Sequence, residues 1–199
     1  MPDRFTLGEF QALMKHWDQV ERQVIEERLS GNFSRPQLGQ FSEDEAATLG
    51  AVLQRLIPQE EGVDLVGFLD WATGRPLGRS DRQPGMPDEP ELFRLGLQGI
   101  NETSLARFGS HFRELPDTQQ DEVLQAIQEG QAEGEIWKRI PSKYFFIRFY
   151  GKALMGYFAH PKAWMRIGFP GPSYPEGYLW VNIGQVRQRH RRQPGWDSF

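Results

Sequence analysis

Apolar residues recur at alternating spacings of three and four between the N-terminus and Gly130, a period that predicts amphipathic helices. The clearest of these helices is predicted over about residues 4–29. Its expected buried stripe consists of Phe10, Leu13, Trp17, Val20 and Val24. The chain is therefore expected to begin with one long helix.

A second helix is predicted from Ser42, because Ser42 and Glu45 have the spacing of a capping box and Pro58 cannot continue the helix. A short helix is predicted over residues 63–71. Residues 73–87 are rich in Gly, Pro and charge, which predicts a long loop.

Two further helices are predicted between this loop and Gly130. Asp88 is a suitable N-cap for the first of them, which is expected to break near residues 101–104. The second is predicted to begin at Pro116 or Asp117 and to end at Gly130.

Residues 136–158 differ from the preceding helices because aromatic and aliphatic side chains cover most of the helical circumference. A helix that is apolar nearly all round has to be covered nearly all round. Two arrangements satisfy this requirement: a central helix of the bundle, or a helix shared between the core and a partner. Gly151 and Gly156 lie inside it, where small residues permit another backbone to approach.

Residues 156–178 combine large aromatics with glycines and prolines that do not continue a helix, so an extended ribbon with projecting side chains is predicted. The rest of the chain or a second protein has to cover this ribbon. The predicted fold is all-α: an irregular helical bundle over residues 1–160 with an extended, Gly/Pro/aromatic-rich arm over residues 161–199, in a single domain.

Composition leaves the same two arrangements open. The chain of 199 residues is 38% hydrophobic, which is low, and 13% aromatic, which is high; this fits either burial completed at an interface or an aromatic core. The net charge of −4 disfavours general nucleic-acid binding. A basic cluster at residues 185–192 leaves an independent interaction module as one alternative function. No apolar run approaches the length of a membrane span.

Patterns that would signal catalysis are mostly absent. The sequence has no cysteine, no Gly-rich dinucleotide or phosphate loop and no His-Glu-x-x-His, and its four histidines are widely separated. A stand-alone carbohydrate-active enzyme remains a second alternative, since carboxylates beside sugar-stacking aromatics serve glycoside chemistry. Its candidate residues are Asp64, Asp70, Trp71, Tyr174 and Tyr178.

The order of these elements resembles the gluconate 2-dehydrogenase subunit 3 family, the small subunits of bacterial flavin-dependent sugar and polyol dehydrogenases. The resemblance extends from Phe41 to about Tyr178. It rests on the capped helix 41–58, the helix 93–101, the segments 108–115 and 119–124, and above all Gly156-Tyr157-Phe158, His160-Pro161, Trp164 and Ile167-Gly168-Phe169-Pro170-Gly171.

The resemblance implies a non-catalytic accessory subunit that binds and stabilises a large catalytic subunit of the glucose–methanol–choline (GMC) type. FAD is then expected in that partner, with no cofactor, metal or catalytic residue in this chain. Some relatives add a multihaem cytochrome subunit. Family members commonly carry a twin-arginine export signal, which implies the periplasm. The N-terminal sequence shows no such signal, so either the signal is processed or replaced, or the complex works in the cytoplasm.

Aromatic side chains of the last helix and the ribbon are the expected contacts with the partner. They are Phe146, Phe149, Tyr150, Tyr157, Phe158, Trp164, Phe169, Tyr174 and Tyr178.

Overall fold

The computed structural model describes residues 4–31, 37–74 and 83–171. These residues contain no β-strand, which confirms the all-α class. Their helices are α1 (Leu7–Met14), α2 (Gln19–Leu29), α3 (Glu43–Leu56), α4 (Leu65–Thr73), α5 (Glu89–Phe108), α6 (Asp117–Glu129), α7 (Ile136–Arg139), α8 (Ser142–Phe158) and α9 (Pro161–Ile167), with a short 3-10 helix at Phe112–Glu114.

The chain divides into two compact units. Within the described residues, a terminal unit joins residues 4–31 to residues 158–171, and a central unit comprises residues 37–74 and 83–157. Segments from both ends of the described chain contribute to the terminal unit, and the predicted division at residue 160 stays a prediction.

The core of the central unit lies around α5, which packs against α3, α6 and α7. Its buried side chains include Phe93, Leu97 and Ile100. Two glycines of α5 allow aromatic rings to lie directly on the helix backbone. A Cβ at Gly99 would lie 2.5 Å from the Trp137 ring, and a Cβ at Gly96 would clash with Phe145. Some of the aromatic residues after residue 136 therefore pack in the core of this chain.

The prediction of one continuous helix over residues 4–29 is wrong. This part of the chain forms two helices, α1 and α2, because the Asp18 carboxylate accepts a hydrogen bond from the Val20 amide at 2.8 Å and caps the start of α2. Val20 is then 68% exposed, whereas Phe10 and Trp17 of the same predicted stripe are buried.

The break predicted near residues 101–104 is also wrong, since α5 continues to Phe108. The hydroxyls of Thr103 and Ser104 donate to carbonyls one turn earlier, at Gly99 and Ile100, so these residues are accommodated within the helix. The predicted starts at Ser42 and Asp88 and the predicted end at Gly130 are confirmed.

The ribbon predicted from Gly156 is helical over its first part. α8 continues to Phe158, and α9 begins at Pro161, where proline favours the first turn of a helix and the His160 side chain accepts from the Lys162 amide. Gly168 ends α9 in the left-handed conformation, with φ of 76°. The extended arm predicted from residue 161 is therefore wrong for residues 161–167, and the arm beyond Gly171 lies outside the described residues.

α1, α2 and α9 form the terminal unit around a small apolar core. The amides of Arg4 and Phe5 both donate to the Met165 carbonyl at 3.1 Å, which joins the N-terminal segment to α9. The core comprises Phe10, Met14, Trp17, Ile25 and Met165.

Candidate partner-binding surface

The segment from Trp164 to Gly171 holds the terminal unit together. The Trp164 ring packs edge-on against Phe10 and Phe169, with ring centroids 6.4 and 5.3 Å apart. Gly171 has φ of 95°, and a Cβ there would clash with Trp17. Trp164 therefore has a packing role within its own chain, whether or not it also meets a partner.

The structure places the predicted contact residues in several environments. Phe149 and Tyr157 are buried, at 1% and 3% exposure, and Phe146 is 8% exposed. Tyr150, Trp164 and Phe169 are partly buried, and Phe158 is 42% exposed. Tyr174 and Tyr178 lie outside the described residues.

Burial of Phe149 has an internal cause. Its ring lies 5.5 Å from Phe93 and 5.4 Å from Phe145, so it belongs to the aromatic core around α5. A side chain covered by its own chain does not offer its surface to a partner. That a partner contacts Phe149 stays a prediction, and the other side of α8 is the side that the aromatic core leaves uncovered.

That side of α8 carries apolar residues missing from the predicted contact set. Ile147 is 61% exposed and Met155 is 50% exposed, and the exposed Gly151 lies midway between them. Spacing of four places all three on one face of the helix. The spacing of four is present in the sequence, but it does not stand out, because apolar residues also occupy most of the rest of the helical circumference.

Beside this face, α6, α8 and the end of α3 enclose an open groove of about 910 Å³. Its apolar lining comprises Leu56, Leu124, Phe146, Ile147, Tyr150 and Gly151. Its polar lining comprises Asp121, Gln125, Gln128, Glu129, Gln131 and Lys143, all exposed. An apolar floor with a polar rim is the usual anatomy of a protein–protein interface. We call Ile147, Gly151, Met155 and the lining of this groove the α8 surface.

Arg55 forms ion pairs with two carboxylates of α6 beside the groove. The guanidinium donates to both carboxylate oxygens of Asp121, at 2.8 and 2.7 Å, and also to Asp117. These hydrogen bonds lower the pKa of Asp121 and raise that of Arg55. The two carboxylates are solvent-exposed, so these ion pairs contribute little to the stability of the fold.

The carboxylates considered for a carbohydrate-active enzyme have structural roles. Asp70 is 1% exposed, and its two oxygens accept the amides of Gly39, Gln40 and Phe41 at 2.7 to 3.0 Å. Asp64 caps α4 by accepting from the Gly67 amide at 2.8 Å. Asp70 thus fixes the chain before α3 and is enclosed, which removes the observation that favoured an active site around Trp71.

The described residues contain neither a metal-binding cluster nor a membrane-spanning helix. No three His, Asp or Glu side chains within residues 4–31, 37–74 and 83–171 are arranged to hold a metal ion. In the same part of the chain, every helix is too short or too polar to cross a bilayer.

Together, the described residues define an all-α protein that exposes an apolar face on α8. The family model for gluconate 2-dehydrogenase subunit 3 matches residues 43–171, and the chain belongs to this family. No curated protein and no solved structure matches it. The match confirms the family expected from the sequence and ends at Gly171, which packs against Trp17.

Proposed function

We propose that this chain is an accessory subunit that binds and stabilises the FAD-containing catalytic subunit of a GMC-type sugar or sugar-acid dehydrogenase. Membership of a family defined as a dehydrogenase subunit carries the proposal. The exposed apolar residues Ile147 and Met155 support it, because exposed apolar faces commonly mark protein–protein contacts.

In this proposal the oxidation of the sugar takes place in the partner. FAD is held there, and electrons leave the complex through an acceptor such as a cytochrome subunit. The contribution of this chain is thermodynamic: a protein that binds the folded catalytic subunit but not its unfolded form stabilises it by mass action, by about 2.7 kcal/mol at a hundredfold excess over Kd.

Co-expression tests the proposal. The large dehydrogenase subunit of the same organism is produced with and without this chain, and the soluble yield, bound FAD and thermal stability of the large subunit are measured. We expect co-purification at a fixed ratio and a higher melting temperature of the flavoprotein when this chain is present. A large subunit that is equally soluble, stable and flavin-loaded alone, and that never co-purifies with this chain, would refute the proposal.

A further inference from the structure

The segment from Trp164 to Gly171 lies in the region that the family model matches, and the N-terminal part of the chain packs over it. The first two amides of the described chain both donate to the Met165 carbonyl at 3.1 Å. The Phe10 ring contacts the Trp164 end of the segment, and the Trp17 ring lies against its Gly171 end. We call residues 4–17 the N-terminal cover.

The N-terminal cover contacts a residue that the sequence predicts as a partner contact. The ring centroids of Phe10 and Trp164 are 6.4 Å apart, and the Trp164 side chain is partly buried. The family match begins at residue 43, so the N-terminal cover lies outside the region that the family model describes. A partner reaches the face of Trp164 that Phe10 contacts only when the cover has moved away.

Few buried side chains hold the N-terminal cover in place. In the terminal unit, α1 contributes Phe10 and Met14 to the core and α2 contributes Ile25. Residues 4–31 and 158–171 together are close to the roughly 40 residues below which an isolated domain is seldom stable without disulfides, metals or a partner. Regions with small cores open locally at a lower free energy than the whole protein. We therefore expect the cover to open while the central unit stays folded.

We infer that the N-terminal cover is an autoinhibitory contact, which packs on the segment from Trp164 to Gly171 in the free chain and is displaced when the catalytic subunit binds that segment. The apparent affinity for the catalytic subunit is then reduced by the fraction of chains in which the cover is open. This inference rests on the function proposed above and adds a control of its binding step.

A reversible disulfide between the cover and the segment tests the inference, because the sequence has no cysteine of its own. A Cβ at Gly168 would lie 3.2 Å from the Cβ of Arg4, close to the separation of about 3.5–4.5 Å that disulfides have. In the double variant Arg4→Cys/Gly168→Cys, oxidation should raise the Kd for the purified large subunit by about tenfold or more, and reduction should restore it.

The reduced form of this variant is the matched control for its oxidised form. Gly168 has φ of 76°, so a side chain there is strained, but the strain is present in both forms. The wild-type chain, treated with the same oxidant and reductant, shows any effect on the large subunit itself. Equal or tighter binding by the oxidised form would make the cover a permanent part of the binding surface and overturn the inference. Two free thiols after oxidation would contradict the closed contact itself.

A pair of Phe→Leu variants tests the same inference without cysteines. Phe10 and Phe112 are both fully buried, the first in the terminal unit and the second in the central unit. Phe10→Leu should loosen the cover and lower the Kd for the large subunit by about fivefold. Phe112→Leu should lower the melting temperature of the chain and leave this Kd unchanged. Weaker binding by Phe10→Leu would mean that the cover shapes the interface, which overturns the inference.

Hydrogen–deuterium exchange measures the opening directly. In the free chain the amides of α1 and α2 should exchange faster than those of α5, because the terminal core is small. When the large subunit binds, exchange should become faster in α1 and slower over residues 164–171. Slower exchange in both segments would place the cover inside the interface and refute its displacement.

The outcomes also separate this inference from the function on which it rests. If the wild-type chain binds the large subunit and oxidation of Arg4→Cys/Gly168→Cys does not change the Kd, the cover is not autoinhibitory and the proposed function stands. If the wild-type chain does not bind the large subunit in any form, the proposed function fails and the inference fails with it.

Discussion

Alanine at Gly151 and alanine at Gly156 should change stability in opposite directions, although both glycines lie in α8. Gly156 is buried against α4: a Cβ there would lie 2.7 Å from Cε1 and 3.0 Å from Cγ of the Phe68 ring. Carbon atoms pack optimally at about 3.5–4.0 Å, so the ring would have to retreat by about 1 Å. Phe68 is 6% exposed, which leaves it little room.

The magnitudes follow from two opposing terms. Either substitution gains about 0.5–1 kcal/mol from helix propensity. At Gly156 overpacking costs about 1–3 kcal/mol, so a net loss of about 1–2 kcal/mol is expected, whereas Gly151→Ala keeps its gain. For a chain of this size each kcal/mol shifts the melting temperature by roughly 2–4 °C.

Thermal unfolding of the free chain, followed by far-UV circular dichroism, measures both variants. An equal rise in melting temperature for Gly151→Ala and Gly156→Ala would refute the packing of Phe68 on α8. Phe68→Leu in the Gly156→Ala background provides the control, since the two changes should be less costly together than their separate losses imply if the ring and the methyl group compete for one space.

Three further results are expected. Glu89→Gln should destabilise the chain to urea by about 3 kcal/mol or more, because the Lys152 ammonium, 7% exposed and 2.8 Å from the Glu89 carboxylate, loses its charge partner; full stability in the variant would contradict a buried pair. The folded-state pKa of Asp121 is lowered from 3.8, mainly by its hydrogen bond with Arg55, so this pair stabilises the fold above about pH 4 and loses its effect as the pH falls through the lowered pKa. Arg55→Gln should accordingly lower the urea midpoint slightly at pH 7 and not at pH 2, and an equal shift at both values would count against the pair. Trp164→Ala should cost about 2 kcal/mol of stability in the free chain, measured by denaturation, because the ring packs in the terminal core; unchanged stability with lost assembly would instead make it an interface anchor.

Local signals in the sequence predicted the helix ends that depend on one or two side chains. Ser42 and Glu45 form the expected capping box, with hydrogen bonds of 2.9 and 3.2 Å, and Gly130 ends α6 with φ of 80°. The same signal was present at Thr6 and Glu9 and was missed, although they cap α1 in the same way. Such features are predictable because the donor and the acceptor lie within one turn of each other.

Features that depend on distant residues were not predictable in this way. Asp70 reads in the sequence as a carboxylate beside a tryptophan, and its role becomes clear only when the amides of Gly39, Gln40 and Phe41 converge on it from 29 to 31 residues away. An enclosed carboxylate that accepts three amides serves the fold, so Asp70 no longer supports the enzyme alternative. Tyr174 and Tyr178, its other candidate residues, lie outside the described residues.

Apolar periodicity has a specific weakness in α8, where it could not separate the core side from the side left open. A residue such as Phe149, which packs on Phe93, and one such as Ile147, which is 61% exposed, contribute equally to an apolar pattern. Glycines help to distinguish the two sides of α8. Glycine inside a helix is destabilising relative to alanine, so a close packing contact is one physical reason for finding it there. The Phe68 ring accounts for Gly156, whereas nothing in the described part of the chain accounts for Gly151.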